Sequence, residues 1–186
     1  LYYDTSIALG HTRWATHGNI NIKNAHPLTS ENRVAVVHNG IIENYASIKK
    51  TLEFEGYVFT SQTDTEVLPH LFTKYLKKGH DFLQAGRLVL KDIKGAFAFV
   101  AICLDFPDQL FVSRNSSPLA IGLGEGSNSV GSDAQSINHL TNKIIYLEDG
   151  DYALIKINDI EVFGENPNKV DRRIINIQSE RGLITK

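Results

Sequence analysis

The chain changes its hydrophobic period at Gly95, and that switch limits the folds open to it. Before Gly95, apolar residues recur at helical spacing. Ile48 and Leu52 stand at i, i+4 in a segment opened by Asn44 and stopped by Gly56, which predicts a helix over 44–55. Thr63-Asp64-Thr65-Glu66 has the form of a capping box and predicts a helix running to Lys78, kinked at Pro69. A third amphipathic helix is expected over 81–93. After Gly95 the pattern becomes short apolar or β-branched runs at 96–104, 109–113, 119–123, 129–131, 143–147 and 152–157, separated by Gly, Pro, Asn and Asp turns. Such spacing predicts an antiparallel meander, with a short helix over 132–140 and an edge strand at 160–163. Upstream, strands are expected at 6–12, 33–38 and 57–60. The 33–38 run, apolar on both faces, ends at the turn pair Asn39-Gly40. Residues 13–32 read as an irregular loop and the last twenty as a tail or linker. The class is α+β, an antiparallel sheet with two or three covering helices.

Composition excludes several functions. Nineteen basic and 21 acidic residues leave a net charge of −2, so there is no global electrostatic case for nucleic acid or an anionic membrane. No apolar run is long enough to span a bilayer. A single cysteine, Cys103, cannot form an internal disulfide, and a cytoplasmic location is the expectation. The chain opens on Leu1 and contains no methionine, which reads as an excerpt of a longer protein.

Four histidines, His11, His17, His26 and His38, fall within 28 residues. Their spacings of six, nine and twelve lack the compact pattern of a metal site. The simpler reading places His11 and His38 at strand ends, bonding the loop. Arg13-Trp14-Ala15-Thr16-His17-Gly18 gathers a planar cation, the only tryptophan and an imidazole in one loop. Such a loop suits a carboxylate or phosphate ligand, or else a surface ion pair beside a half-buried indole. Asn39-Gly40 offers a side-chain amide and a backbone N–H, the two donors an oxyanion needs, although Asn-Gly is also the ordinary turn dipeptide. Asp64 suits either a helix N-terminus or a ligand ammonium group. Cys103, in the middle of an apolar run, reads as a small buried hydrophobe. No GxSxG, P-loop or GxGxxG pattern occurs; Gly122-Leu123-Gly124-Glu125-Gly126 is a turn between strands.

Taken in order, Gly10-His11-Thr12-Arg13-Trp14-Ala15-Thr16-His17-Gly18, Asn24-Ala25-His26-Pro27, Val37-His38-Asn39-Gly40-Ile41-Ile42-Glu43-Asn44 and Thr63-Asp64-Thr65-Glu66 resemble the glutaminase domain of the glutamine–fructose-6-phosphate aminotransferase (glucosamine-6-phosphate synthase) family. Ser113-Arg114, Ser117-Pro118-Leu119, Ser132-Asp133 and Leu147-Glu148-Asp149-Gly150-Asp151 extend the resemblance over most of residues 7–157. It implies an αββα sandwich of the N-terminal nucleophile hydrolase type. An N-terminal cysteine there attacks the glutamine side-chain amide, and the ammonia released passes through a channel to a C-terminal sugar-isomerising domain that makes glucosamine 6-phosphate. The resemblance assigns Arg13 to the glutamine α-carboxylate and Asp64 to its α-ammonium. Thr16 and His17 would line the glutamine pocket, and Asn39 with the Gly40 N–H would form the oxyanion hole. Trp14 would gate the channel, and His26 would lie in the loop facing the second domain. It implies no cofactor and no metal, glutamine as ligand, and a homodimer in the intact enzyme.

The chain departs from that pattern at its start, where only ten residues precede His11 and none is cysteine. Residues 1–165 are therefore read as a partial type-2 amidotransferase domain lacking its first strands, expected to be inactive alone, and 166–186 as linker. Smaller departures are Asn19-Ile20-Asn21, Leu28 and Pro69. A nucleophile-less glutamine-sensing or docking domain, and a class II amidotransferase with another acceptor, are the alternatives.

Overall fold

The computed structural model describes residues 6–12 and 21–177. Its strands are β1 (Leu28–Ser30), β2 (Val34–Ile42), β3 (Gly95–Cys103), β4 (Leu110–Asn115), β5 (Ala120–Leu123), β6 (Asn128–Gly131), β7 (Lys143–Tyr146), β8 (Tyr152–Ile155), β9 (Ile160–Phe163) and β10 (Ile174–Asn176). The helices α1 (Tyr45–Phe54), α2 (Val67–Lys77) and α3 (Phe82–Asp92) all lie between β2 and β3.

The strands form two antiparallel sheets instead of one meander. One has the order β1-β2-β3-β4-β8-β9, the other β10-β7-β5-β6. After the β3–β4 hairpin the chain crosses to the second sheet for β5, β6 and β7, then returns as β8 beside β4. The alternation of each central strand divides its residues between two cores. Val36, Phe99, Phe111 and Leu154 face the helices, where Phe72, Phe82 and Val89 meet them. Val37, Val100, Val112 and Ala153 face the second sheet, packing on Leu119, Ile121, Ile145 and Leu147. The layers therefore run helix, sheet, sheet, a two-sheet sandwich of the kind the family resemblance implied. The outer face of the second sheet is covered by Ala134 and Ile137, from a run of turns at 132–140 where a short helix was expected.

Local signals were in several cases used differently from the expectation. Asn44 does not cap α1; its side chain donates to the Asp92 carbonyl at 2.7 Å and accepts from the Lys94 N–H at 2.9 Å, fastening the start of α1 to the end of α3. The Thr63–Glu66 segment is a 3₁₀ turn with no side-chain cap at Thr63. Glu66 instead accepts from the backbone N–H groups of Thr60 and Ser61 at 2.8 and 2.7 Å. Those bonds, and packing of Tyr57 and Phe59 on His70, hold 57–60 extended without a strand partner among the described residues. Because the α-helical part begins only at Val67, Pro69 lies in the first turn, whose N–H groups have no intrahelical acceptor, and the expected kink has no cause. Residues 6–12 form no strand among the described residues. Asn39 and Gly40 make no turn: β2 runs straight through them to Ile42, in continuous register with β3.

The segment read as linker from residue 166 is fastened to the domain as far as Ile177. The Val170 N–H donates to Val162, β10 pairs with β7, and the Arg172 guanidinium grips the fully buried Asp151 through both carboxylate oxygens at 2.7 and 2.8 Å.

Candidate functional site

A cavity of about 520 Å³ opens between the ends of the two sheets, lined by His11, Asn39, Ala98, Leu119, Gly131 and Ile137 among others. Asn39 reaches it because β2 alternates. Its neighbours His38 and Gly40 sit on the opposite parity, and His38 is buried on the helix side. Asn39 is exposed, and its Oδ1 lies 2.9 Å from the Nε2 of His11. The His11 ring rests in turn on that of His26, with centroids 4.5 Å apart. The structure thus joins Asn39 to two of the four clustered histidines. Nothing in the spacing could have found the His11–Asn39 contact, which spans 28 positions.

Gly40 is fixed by geometry. Its φ is +121°, and a Cβ there would lie 2.1 Å from the Ala96 carbonyl oxygen, so only glycine lets β2 and β3 approach this closely.

The Thr63-Asp64-Thr65-Glu66 motif is an anchor for this strand. Asp64, only 3% exposed, accepts the Ile42 N–H at 2.7 Å, three residues beyond Asn39, or about 10 Å along the strand. Thr65 bonds the Nδ1 of His38 at 2.9 Å. Burial, aided by the like charge of His11, holds the His38 imidazole down at about 3, so it stays uncharged. His38 therefore works as a neutral strut beneath the cleft, not at a strand end. Arg13, Trp14, Thr16 and His17 lie outside the described residues.

Cys103 is at the far end of β3, opposite Val34 and five residues from Ala98, which is roughly 17 Å. It is buried, and that burial raises its thiol pKa, the reverse of what a nucleophile needs. Among the described residues, no three His, Cys, Asp or Glu side chains gather as a metal site, and no helix is long and apolar enough to cross a membrane.

Two antiparallel sheets under a helical layer are an architecture this chain shares with solved class II amidotransferases, enzymes of the N-terminal nucleophile type. The chain belongs to the glutamine amidotransferase domain family, whose profile matches residues 11–139. It is 44% identical over 172 residues to the glutamine–fructose-6-phosphate aminotransferase [isomerizing] of Idiomarina loihiensis, covering 92% of this chain and 28% of that protein. It is 48% identical over 169 residues to the protein of the same name from Acinetobacter baylyi, covering 91% of this chain and 27% of the relative. Among solved structures, glutamine phosphoribosylpyrophosphate amidotransferase from B. subtilis, complexed with ADP and GMP, superposes with a TM-score of 0.69 at 26% identity, over 86% of this chain and 35% of that one. The chain thus spans a little over a quarter of the length of these curated relatives.

Proposed function

We propose that this chain is the glutamine-hydrolysing domain of a glutamine–fructose-6-phosphate aminotransferase, a cytoplasmic enzyme of hexosamine synthesis. The observation that carries the reading is the exposed Asn39 amide beside Gly40 at the cleft, in a chain whose relatives of that name are 44% and 48% identical over more than nine-tenths of its length. In this reading glutamine lies along the end of β2. Asp64 takes the α-ammonium and Arg13 the α-carboxylate, with Thr16 and His17 along the pocket wall. When a cysteine thiolate adds to the carboxamide carbon, the carbonyl oxygen gains charge. The Asn39 Nδ2–H and the Gly40 N–H then stabilise it more strongly than they did the neutral amide, which is what lowers the barrier. Collapse of the adduct expels ammonia and leaves a glutamyl thioester for water to cleave. Trp14 gates the passage of ammonia, and His26 faces the neighbouring sugar-isomerising domain, which aminates fructose 6-phosphate within a homodimer. The chain's own residues need no cofactor for these steps.

In the full-length protein, Asn39→Ala is expected to lower kcat for glutamine hydrolysis about 100- to 1,000-fold with little change in KM, measured as glutamate release. Asp64→Asn is expected to raise KM instead. Wild-type rates in Asn39→Ala would overturn the assignment. Cys103→Ala is expected to leave hydrolysis unchanged, since Cys103 lies far from Asn39 along β3. The similarity to the B. subtilis phosphoribosylpyrophosphate enzyme supports a second reading with another acceptor. Ammonia-dependent assays with fructose 6-phosphate and with phosphoribosyl pyrophosphate separate the two.

A further inference from the structure

Asn39 can serve an oxyanion only in one of its two amide orientations, and the structure contains a device that selects it. With Nδ2 towards the cleft the side chain donates; flipped, it presents Oδ1 and repels a developing negative charge. The selecting atom is the His11 Nε2, 2.9 Å from Oδ1. If that nitrogen carries a proton, it donates to Oδ1 and holds Nδ2 outward. If it carries a lone pair, it favours the flipped amide.

The surroundings of His11 decide which. Its Nδ1 is buried and has no hydrogen-bond partner among the described residues. A proton placed there would be a buried donor with no acceptor, at a cost of about 1–3 kcal/mol, whereas an unpartnered lone pair costs less. The proton therefore belongs on Nε2, facing an oxygen. The ring cannot easily turn to exchange its nitrogens, because the His26 ring packs against it with a 4.5 Å centroid separation. Neither histidine needs to touch the substrate for this to operate.

We propose that His11 is a positioning residue: through its Nε2 proton it locks Asn39 in the donating orientation, and His26 braces the ring that does so. The inference rests on the glutaminase reading above, and deepens it. It implies that part of the oxyanion hole is built by a loop remote in sequence from the strand that carries the donor.

The test uses the full-length enzyme and three proteins. His11→Phe keeps a ring against His26 but removes the donor, and its kcat for glutamine hydrolysis is expected to fall about 100-fold, with KM within about twofold of wild type. His11→Gln, whose amide nitrogen can occupy the Nε2 position, is expected to recover most of that loss. A second readout is the aldehyde analogue of glutamine, which adds to the nucleophile and places a negative oxygen in the hole. Its affinity is expected to fall with kcat in His11→Phe, while glutamate, which places no such oxygen there, binds as before. Equal loss in the Phe and Gln variants overturns the proposal, since it would show that any change at the ring is damaging. A rise in KM at unchanged kcat, or an aldehyde affinity that stays at the wild-type level, also overturns it. Absence of glutamine hydrolysis in the wild type is a different result, and removes the underlying glutaminase reading instead.

Discussion

Gly40→Ala is expected to destabilise the domain severely, not simply to slow it. A non-glycine residue held at φ +121° costs of the order of 1–3 kcal/mol before any contact is counted. Here the new methyl group would lie 2.1 Å from the Ala96 oxygen and 2.8 Å from the Phe97 Cα, and both are backbone. Neither can swing away as a side-chain end would. They belong to the nine-pair ladder that joins β2 to β3, and moving them breaks pairing on both sides. A combined loss of about 4 kcal/mol is a large part of the 5–15 kcal/mol that holds a typical domain together. Gly56 provides the control, because its φ of +91° is comparable but nothing lies within 4 Å of a Cβ there. Gly56→Ala is expected to cost only about 1 kcal/mol. Urea midpoints of the two variants measure the difference, and equal midpoints would show that the β2–β3 approach is looser than described. The same close approach sets the Gly40 N–H beside the Asn39 amide, so the constraint on folding and the one on the site share one residue.

What could be read from the sequence follows the range of the interactions involved. The strands after Gly95 were legible because each is a short apolar run between turn residues, and 160–163 coincides with β9. Their division between two sheets was not, because β4, paired with β3 on one edge, takes β8 on the other in place of β5. Asn44, Glu66 and Asp64 each carry the residue type of a helix cap. Their side chains satisfy backbone groups at Asp92 and Lys94, at Thr60 and Ser61, and at Ile42. A cap rule names the side chain that accepts but cannot choose among competing backbone partners brought close by packing. For Asn39-Gly40 the turn reading and the reading as a pair of donors were equally local. Only the partner strand, paired through both residues, removes the turn. For 166–177 the signal lay in pairs such as Arg172 with Asp151, which no local window contains.

Acid is expected to destabilise the domain steeply from pH 6.5 downwards, with His38 as the main cause. Burial, and then the charge on His11, lower its pKa from 6.5 to about 3. Below pH 6.5 the unfolded chain takes up a proton at this position and the folded one does not. Stability from this group is therefore complete above pH 6.5 and is lost as the pH falls towards the folded value. The slope approaches about 1.4 kcal/mol per pH unit, and the total reaches about 4–5 kcal/mol by pH 3. Two neighbours act with the same sign. His70 is lowered chiefly by burial, against the opposing pull of Glu66. Burial raises Glu66, but the hydrogen bonds from Ser61 and Thr60 outweigh it and leave the carboxyl lowered. His38→Asn keeps a polar atom near the position of Nδ1, within reach of Thr65, and cannot be protonated. It is expected to be less stable than the wild type at pH 8, because the ring's volume is lost from a closed site, and distinctly flatter between pH 6.5 and 4. Urea midpoints of both proteins across that range give the comparison, and parallel curves would reject His38 as the source. The buried imidazole supports β2 directly beneath Asn39. Because the folded imidazole takes no proton until about pH 3, loss of the cleft and unfolding of the sandwich are expected to coincide in acid.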